Sequence, residues 1–230
     1  MSWLYPTFSF RQFAWMFVFG MAGSVVAGSY GVIHDQITFS IGYEYFTEFK
    51  FHQFYYLDQG QPERLLVAEI GFLATWWVGM FAGWFMGRVT LPHWNVSHAA
   101  RLSAQGMAIM ALTALSFAVI AYMIAPETNE DPRMPYWRNL LTVSDVIDSV
   151  AFVRVGYIHN ASYLGGLAGL IGSLFWLRKR RHQLIITKTA QALRTQCWQI
   201  QALFSLVLLS VCFQASVHAR CRCGRHGCGL

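Results

Sequence analysis

The chain has 230 residues, of which 55% are hydrophobic, 16% aromatic and only 12% charged, about half the charge of an ordinary soluble domain. That composition excludes a water-soluble surface of normal polarity, and the absence of any repeat with a period of roughly 20–50 residues excludes a solenoid. The net charge of +6 does not make a nucleic-acid platform, because the Lys and Arg residues flank long apolar runs instead of gathering on one water-facing surface.

The first ten residues lack a charged n-region, and no small-residue cleavage site follows the first apolar run, so the first helix is expected to stay in the mature protein. Crossing about 30 Å of hydrocarbon takes roughly 20 apolar residues. Segments 10–33, 65–87, 102–125 and 155–177 meet that need, and each is bounded by charge or proline: Arg11 and His34-Asp35, Arg64 and Arg88, Arg101 and Pro126, Arg154 and the run Arg178-Lys179-Arg180-Arg181. The expected fold is all-α, a polytopic transmembrane helical bundle of four spans. Residues 1–182 form the bundle, with extracytoplasmic segments 34–64 and 126–154, and residues 183–230 form a C-terminal helix with a basic, Cys-containing tail.

Residues 200–217 are apolar enough for a fifth span, yet they contain Gln201 and Gln214 and would carry Arg220, Arg222 and Arg225 outward. An interfacial helix is the equal alternative. All five cysteines, Cys197, Cys212, Cys221, Cys223 and Cys228, lie in this piece, so the outer segments have no disulfide framework. The C-x-C-x₄-C spacing of Cys221, Cys223 and Cys228 lacks the paired arms of structural zinc sites, and a flexible tail is expected there.

With the N-terminus cytoplasmic, the inner segments hold nine basic residues (Arg11, Arg88, Arg101, Arg178, Lys179, Arg180, Arg181, Lys188, Arg194) against five outside (Lys50, Arg64, Arg133, Arg138, Arg154). Ten of the eleven acidic residues fall in the two outer segments, and the eleventh, Glu69, lies in the outer end of the second span. The chain is thus polarised across a bilayer, which is its first expected partner; anionic headgroups are the expected counter-charge of the basic side. Gly79, Gly83 and Gly87 on the second span, and Ser162, Gly165, Gly166, Gly169 and Gly172 on the fourth, supply the small-residue faces that let helices approach in lipid. The same faces are available to a membrane-protein partner or a second copy of the chain.

Ionisable groups at membrane depth point to function. His34 lies 23 residues after Arg11, Glu69 lies 19 before Arg88 and His159 lies 19 before Arg178, so the three reach one level near the outer edge of the hydrocarbon. Imidazole and carboxylate without thiolate suit Fe, Mn or Zn. The first-choice ligands are His34, Glu44, Glu69 and His159. In reserve stand Asp35, Glu48, His52, Asp145 and Asp148: Glu44, Glu48 and His52 share a helical face at i, i+4, i+8, and Asp145 and Asp148 share a face at i, i+3 just ahead of the fourth span. Each of these residues taken singly also reads as an interfacial side chain or an ion-pair partner, with Arg64 or Arg154 as the cation. His93 and His98, in the short inner loop, read as solvated.

The string Tyr30-Gly31-Val32-Ile33-His34-Asp35-Gln36-Ile37-Thr38, followed by Glu44-Tyr45-Phe46-Thr47 and Phe49-Lys50-Phe51, resembles a group of uncharacterised bacterial multi-span membrane proteins. Ile158-His159-Asn160-Ala161-Ser162-Tyr163-Leu164-Gly165-Gly166 is similar to a second signature of that group. The resemblance covers roughly residues 10–178 and implies a bacterial inner-membrane location. It implies no activity. The functional expectation is therefore a His/carboxylate metal site at the outer membrane boundary, with hydrolysis or oxidation of a lipid-borne or periplasmic substrate if it is catalytic. The alternative is a non-catalytic subunit or assembly factor that binds partner helices. The span centres offer only Ser, Thr and Gln105, which disfavours a midplane transporter.

Overall fold

The computed structural model describes the backbone of residues 9–223 and the side chains of residues 9–196 and Trp198. The expectations for residues 200–217 and for all five cysteines fall outside the described side chains. Every regular element among the described residues is helical, in the order α1 (Phe10–Ile41), a π-helical turn (Phe46–Lys50), α2 (Phe51–Gln53), α3 (Glu63–Thr90), α4 (Val96–Ile124), a 3₁₀ turn (Met134–Trp137), α5 (Arg138–Val143) and α6 (Ser149–Cys223). Three of these helices, α1, α3 and α4, are long and apolar enough to cross a membrane. The chain divides into two compact units, Met1–Lys179 and Arg180–Leu230. The second is helical through Cys223.

Helix starts follow their capping residues. Ser9 and Gln12 form a reciprocal capping box at α1, the Ser9 hydroxyl accepting from the Gln12 amide at 3.3 Å and the Gln12 side chain accepting from the Ser9 amide at 3.1 Å. Asn95 caps α4 by accepting from the His98 amide at 2.9 Å. The first apolar segment runs further than its composition implied. Instead of ending near Ile33, α1 continues about two turns past His34, because Asp35 and Thr38 are covered by protein and need no water.

Within the first unit, α1 and α3 pack antiparallel at the backbone level. A Cβ on Gly23 would strike the Gly79 carbonyl, one on Gly31 the Gly71 carbonyl, and one on Gly83 the Phe19 carbonyl. Only hydrogen fits at these positions, so close approach does the work that hydrophobic expulsion cannot do in lipid. The Thr75 hydroxyl adds a hydrogen bond to the Ala27 carbonyl at 2.8 Å. A second small-residue contact joins α4 to the 149–179 part of α6: a Cβ on Gly169 would lie 2.7 Å from Met110 Cα, and Ser173 donates to the Gly106 carbonyl at 2.8 Å. Gly172 has open space around it and takes no part.

The segment after α1 folds back as an aromatic cap. Phe46 is fully buried and packs with Phe39, Tyr45, Val67, Met134 and Phe152 in one apolar cluster. Glu44 fixes this cap to the start of α6, its carboxylate accepting from the amides of Asp148 at 2.7 Å and Ile147 at 3.3 Å. Arg64 fixes the start of α3 to α1, donating to the Gln36 carbonyl, the Gln36 side chain and the Ser40 hydroxyl.

Candidate metal centre

Three titratable side chains converge where α1, α6 and the aromatic cap meet. His34 and Asp35 come from adjacent positions on α1 and His159 from α6, and one ligand atom of each lies within 4.8 Å of the others. His159 Nε2 is 3.9 Å from Asp35 Oδ1. The rings of His34 and His159 meet edge to face with centroids 4.9 Å apart. His159 is 2% exposed and Asp35 4%, so neither is reached freely by bulk water.

The surroundings hold these groups in place. The Thr38 hydroxyl lies 3.2 Å from His159 Nε2, and Tyr45 stacks on the same imidazole with centroids 5.1 Å apart. Tyr30 stacks on His34 at 5.6 Å and pairs through its hydroxyl with Ser162 Oγ at 2.9 Å, tying α1 to α6 directly below the cluster. One atom has nothing to bond: His34 Nε2 is buried and has no hydrogen-bond partner. An unsatisfied buried polar atom carries a desolvation cost of about 1–3 kcal/mol, and with the ring proton on Nδ1 this nitrogen has a lone pair to offer a metal ion. Lys50, from the π-helical turn, is 7% exposed and close enough to feel the Asp35 charge. Burial pulls its ammonium below the usual lysine range, and the attraction of Asp35 only partly offsets that.

The remaining sequence-predicted ligands lie elsewhere. Glu69, expected at the same depth as the two histidines, accepts from the Gln61 side chain at 2.8 Å and lines a different recess with Leu57, Phe72 and Leu73. Glu44 is committed to the amides ahead of α6. The π-helical turn breaks the i, i+4, i+8 alignment of Glu44, Glu48 and His52, leaving His52 exposed. Asp145 and Asp148 precede α6 and do not reach the cluster: Asp145 has a left-handed φ of 49°, and Asp148 caps the helix by accepting from the Ala151 amide at 3.0 Å. Arg64 and Arg154 pair with neither Glu69 nor Asp148, the former binding Gln36 and the latter reaching the Pro126 carbonyl at 3.5 Å. His98 is exposed and stacks on Trp94.

Several participants were not foreseen: Lys50, Tyr30, Thr38, Tyr45 and Ser162. Lys50 carried a signal, being the sole lysine before Lys179, but it reads in sequence as an outer charge. Below the cluster opens a cavity of about 560 Å³ bounded by all four long helices of the unit, with Tyr30, His34, Asp35, His159, Ser162 and Tyr163 at one end. No family model, curated protein or solved structure matches this chain. The helical fold with apolar spans and the His34–Asp35–His159 group together define a membrane protein with a possible metal-binding site.

Proposed function

We propose that the chain is a membrane-embedded metalloprotein that holds one divalent ion between His34, Asp35 and His159. The observation that carries this reading is the meeting of two imidazoles and one carboxylate from two helices, with His34 Nε2 left without any protein partner. Ligands about 2.0–2.2 Å from a metal lie roughly 3–4 Å from one another; the 3.9 Å between His159 Nε2 and Asp35 Oδ1 suits that spacing, and the 4.8 Å that bounds the whole group would have to close by a small side-chain shift on binding. Two histidines and a carboxylate favour Fe, Mn or Zn and leave coordination positions open, so the site is suited to polarising a bound oxygen atom.

The reading extends to four spans, with the 155–177 part of α6 as the fourth. The exposed apolar side chains of Leu164, Ile171 and Phe175 on that stretch support a lipid-facing surface. With the N-terminus cytoplasmic, as the excess of basic residues on that side favours, the metal lies near the outer boundary of a bacterial inner membrane.

Elemental analysis of the detergent-purified full chain tests the proposal. About one ion per chain is expected, lost in His34→Ala and His159→Ala, and retained in Glu69→Ala and Glu44→Ala. Well-folded protein that carries no metal after reconstitution with Fe, Mn or Zn would instead support a non-catalytic subunit that docks partner helices through its glycine faces.

A further inference from the structure

The cavity beneath the cluster has two ends of different chemistry. Its polar end is the metal group with Tyr30, Ser162 and Tyr163, and its other walls are apolar: Val78 and Phe81 from α3, Met107 and Met110 from α4, Leu167 and Leu170 from α6. On α6 the lining runs from His159 to Leu170, eleven residues, or about 16 Å at the helical rise. On α3, which enters the bilayer from the opposite direction to α1, the lining begins at Ala74 and continues to Phe81, well inside the span. The space therefore runs from the membrane boundary through the middle of the bilayer to the level of Phe81 and Met107, polar end outermost.

A lipid in the adjoining leaflet has that same polarity: oxygen-bearing head at the boundary, hydrocarbon chain pointing to the midplane. The volume of about 560 Å³ falls within the roughly 300–1,000 Å³ of small-molecule sites and matches one chain, not two. We infer that the cavity binds a single-chain amphiphile, a long-chain acid or alcohol, with its head oxygen at the His34–Asp35–His159 group and its chain in the apolar space that α1, α3, α4 and α6 enclose. The position of the head rests on the metal reading, whereas the position of the chain does not.

The test uses the full chain in nanodiscs and a stearic acid carrying a nitroxide on its chain, with immobilisation followed by electron paramagnetic resonance and metal content measured on the same samples. A saturable immobilised component is expected, displaced by unlabelled stearic acid or stearyl alcohol and not by phosphatidylglycerol. Gly166→Leu grows into the cavity, since a Cβ there meets only Met110 Cε at 4.0 Å, and should weaken probe binding at least tenfold while metal content stays unchanged. Ala111→Phe is the second blocking variant, and Leu112→Phe, on the exposed side of α4, is the control that should bind normally. Saturable binding in protein without metal would sink the metal reading and leave the chain site standing. Immobilisation that never saturates, that is undiminished in both blocking variants, or that phosphatidylglycerol displaces equally well would mean annular lipid only and would overturn the inference.

Discussion

Lys50 is the residue on which the chemistry of the cluster turns. Lys50 is buried close enough to feel the Asp35 charge, so its ammonium adds positive potential where a metal would add more. Lys50→Met should therefore raise affinity for Zn²⁺, by about ten- to a hundredfold given the strength of charge repulsion at an effective dielectric near 20. Competition against a chromophoric chelator measures it; unchanged affinity would mean the lysine points away from the ion. Glu44 acts through position instead. Hydrogen bonds to charged groups contribute about 1.5–3 kcal/mol, so Glu44→Gln should raise amide exchange across residues 44–53 without removing metal. His34 and His159 were legible in sequence because counting residues from a charged boundary gives depth. Glu69 was misplaced because depth says nothing about direction around the helix. Gly71 faces α1, and Glu69, two residues earlier at 3.6 residues per turn, points about 200° away.

At the scale of the element, the two glycine contacts carry different risks. A side chain on Gly23 or Gly79 meets backbone, which cannot step aside, so Gly23→Leu should cost more than about 3 kcal/mol, the upper end of ordinary overpacking. Gly172→Leu meets open space and should stay within about 0.5 kcal/mol. Thermal unfolding in detergent compares them, and equal losses would mean the α1–α3 contact is looser than its geometry. The small-residue faces were readable from spacing, although Gly172 shows that spacing overcounts. The π-helical turn was not readable. Nothing in Glu44-Tyr-Phe-Thr-Glu48 announces an extra residue per turn, and that extra residue turns Phe46 and Lys50 inward and leaves His52 in water.

For the whole molecule, the apolar lengths of α1, α3 and α4 were legible because hydrocarbon thickness sets a length requirement that composition reveals directly. The proposed polarity of the chain across a bilayer is open to a direct check. With the native cysteines, all at or beyond Cys197, changed to serine, single cysteines at Gln59 and Ser97 should label from opposite sides of a sealed vesicle. Labelling of both from one side would refute α3 as a span.

The candidate ligands are also far apart in the order in which a ribosome makes them. Thr38, beside His34 and Asp35, touches an imidazole 121 positions later in the chain. During synthesis the early hairpin of α1 and α3 can close on its own glycine contacts while its two donor residues wait, and the ion can be captured only once α6 has arrived. Nascent chains halted before residue 159 should thus be inserted yet blind to metal, and the ion would serve as a seal on completed assembly.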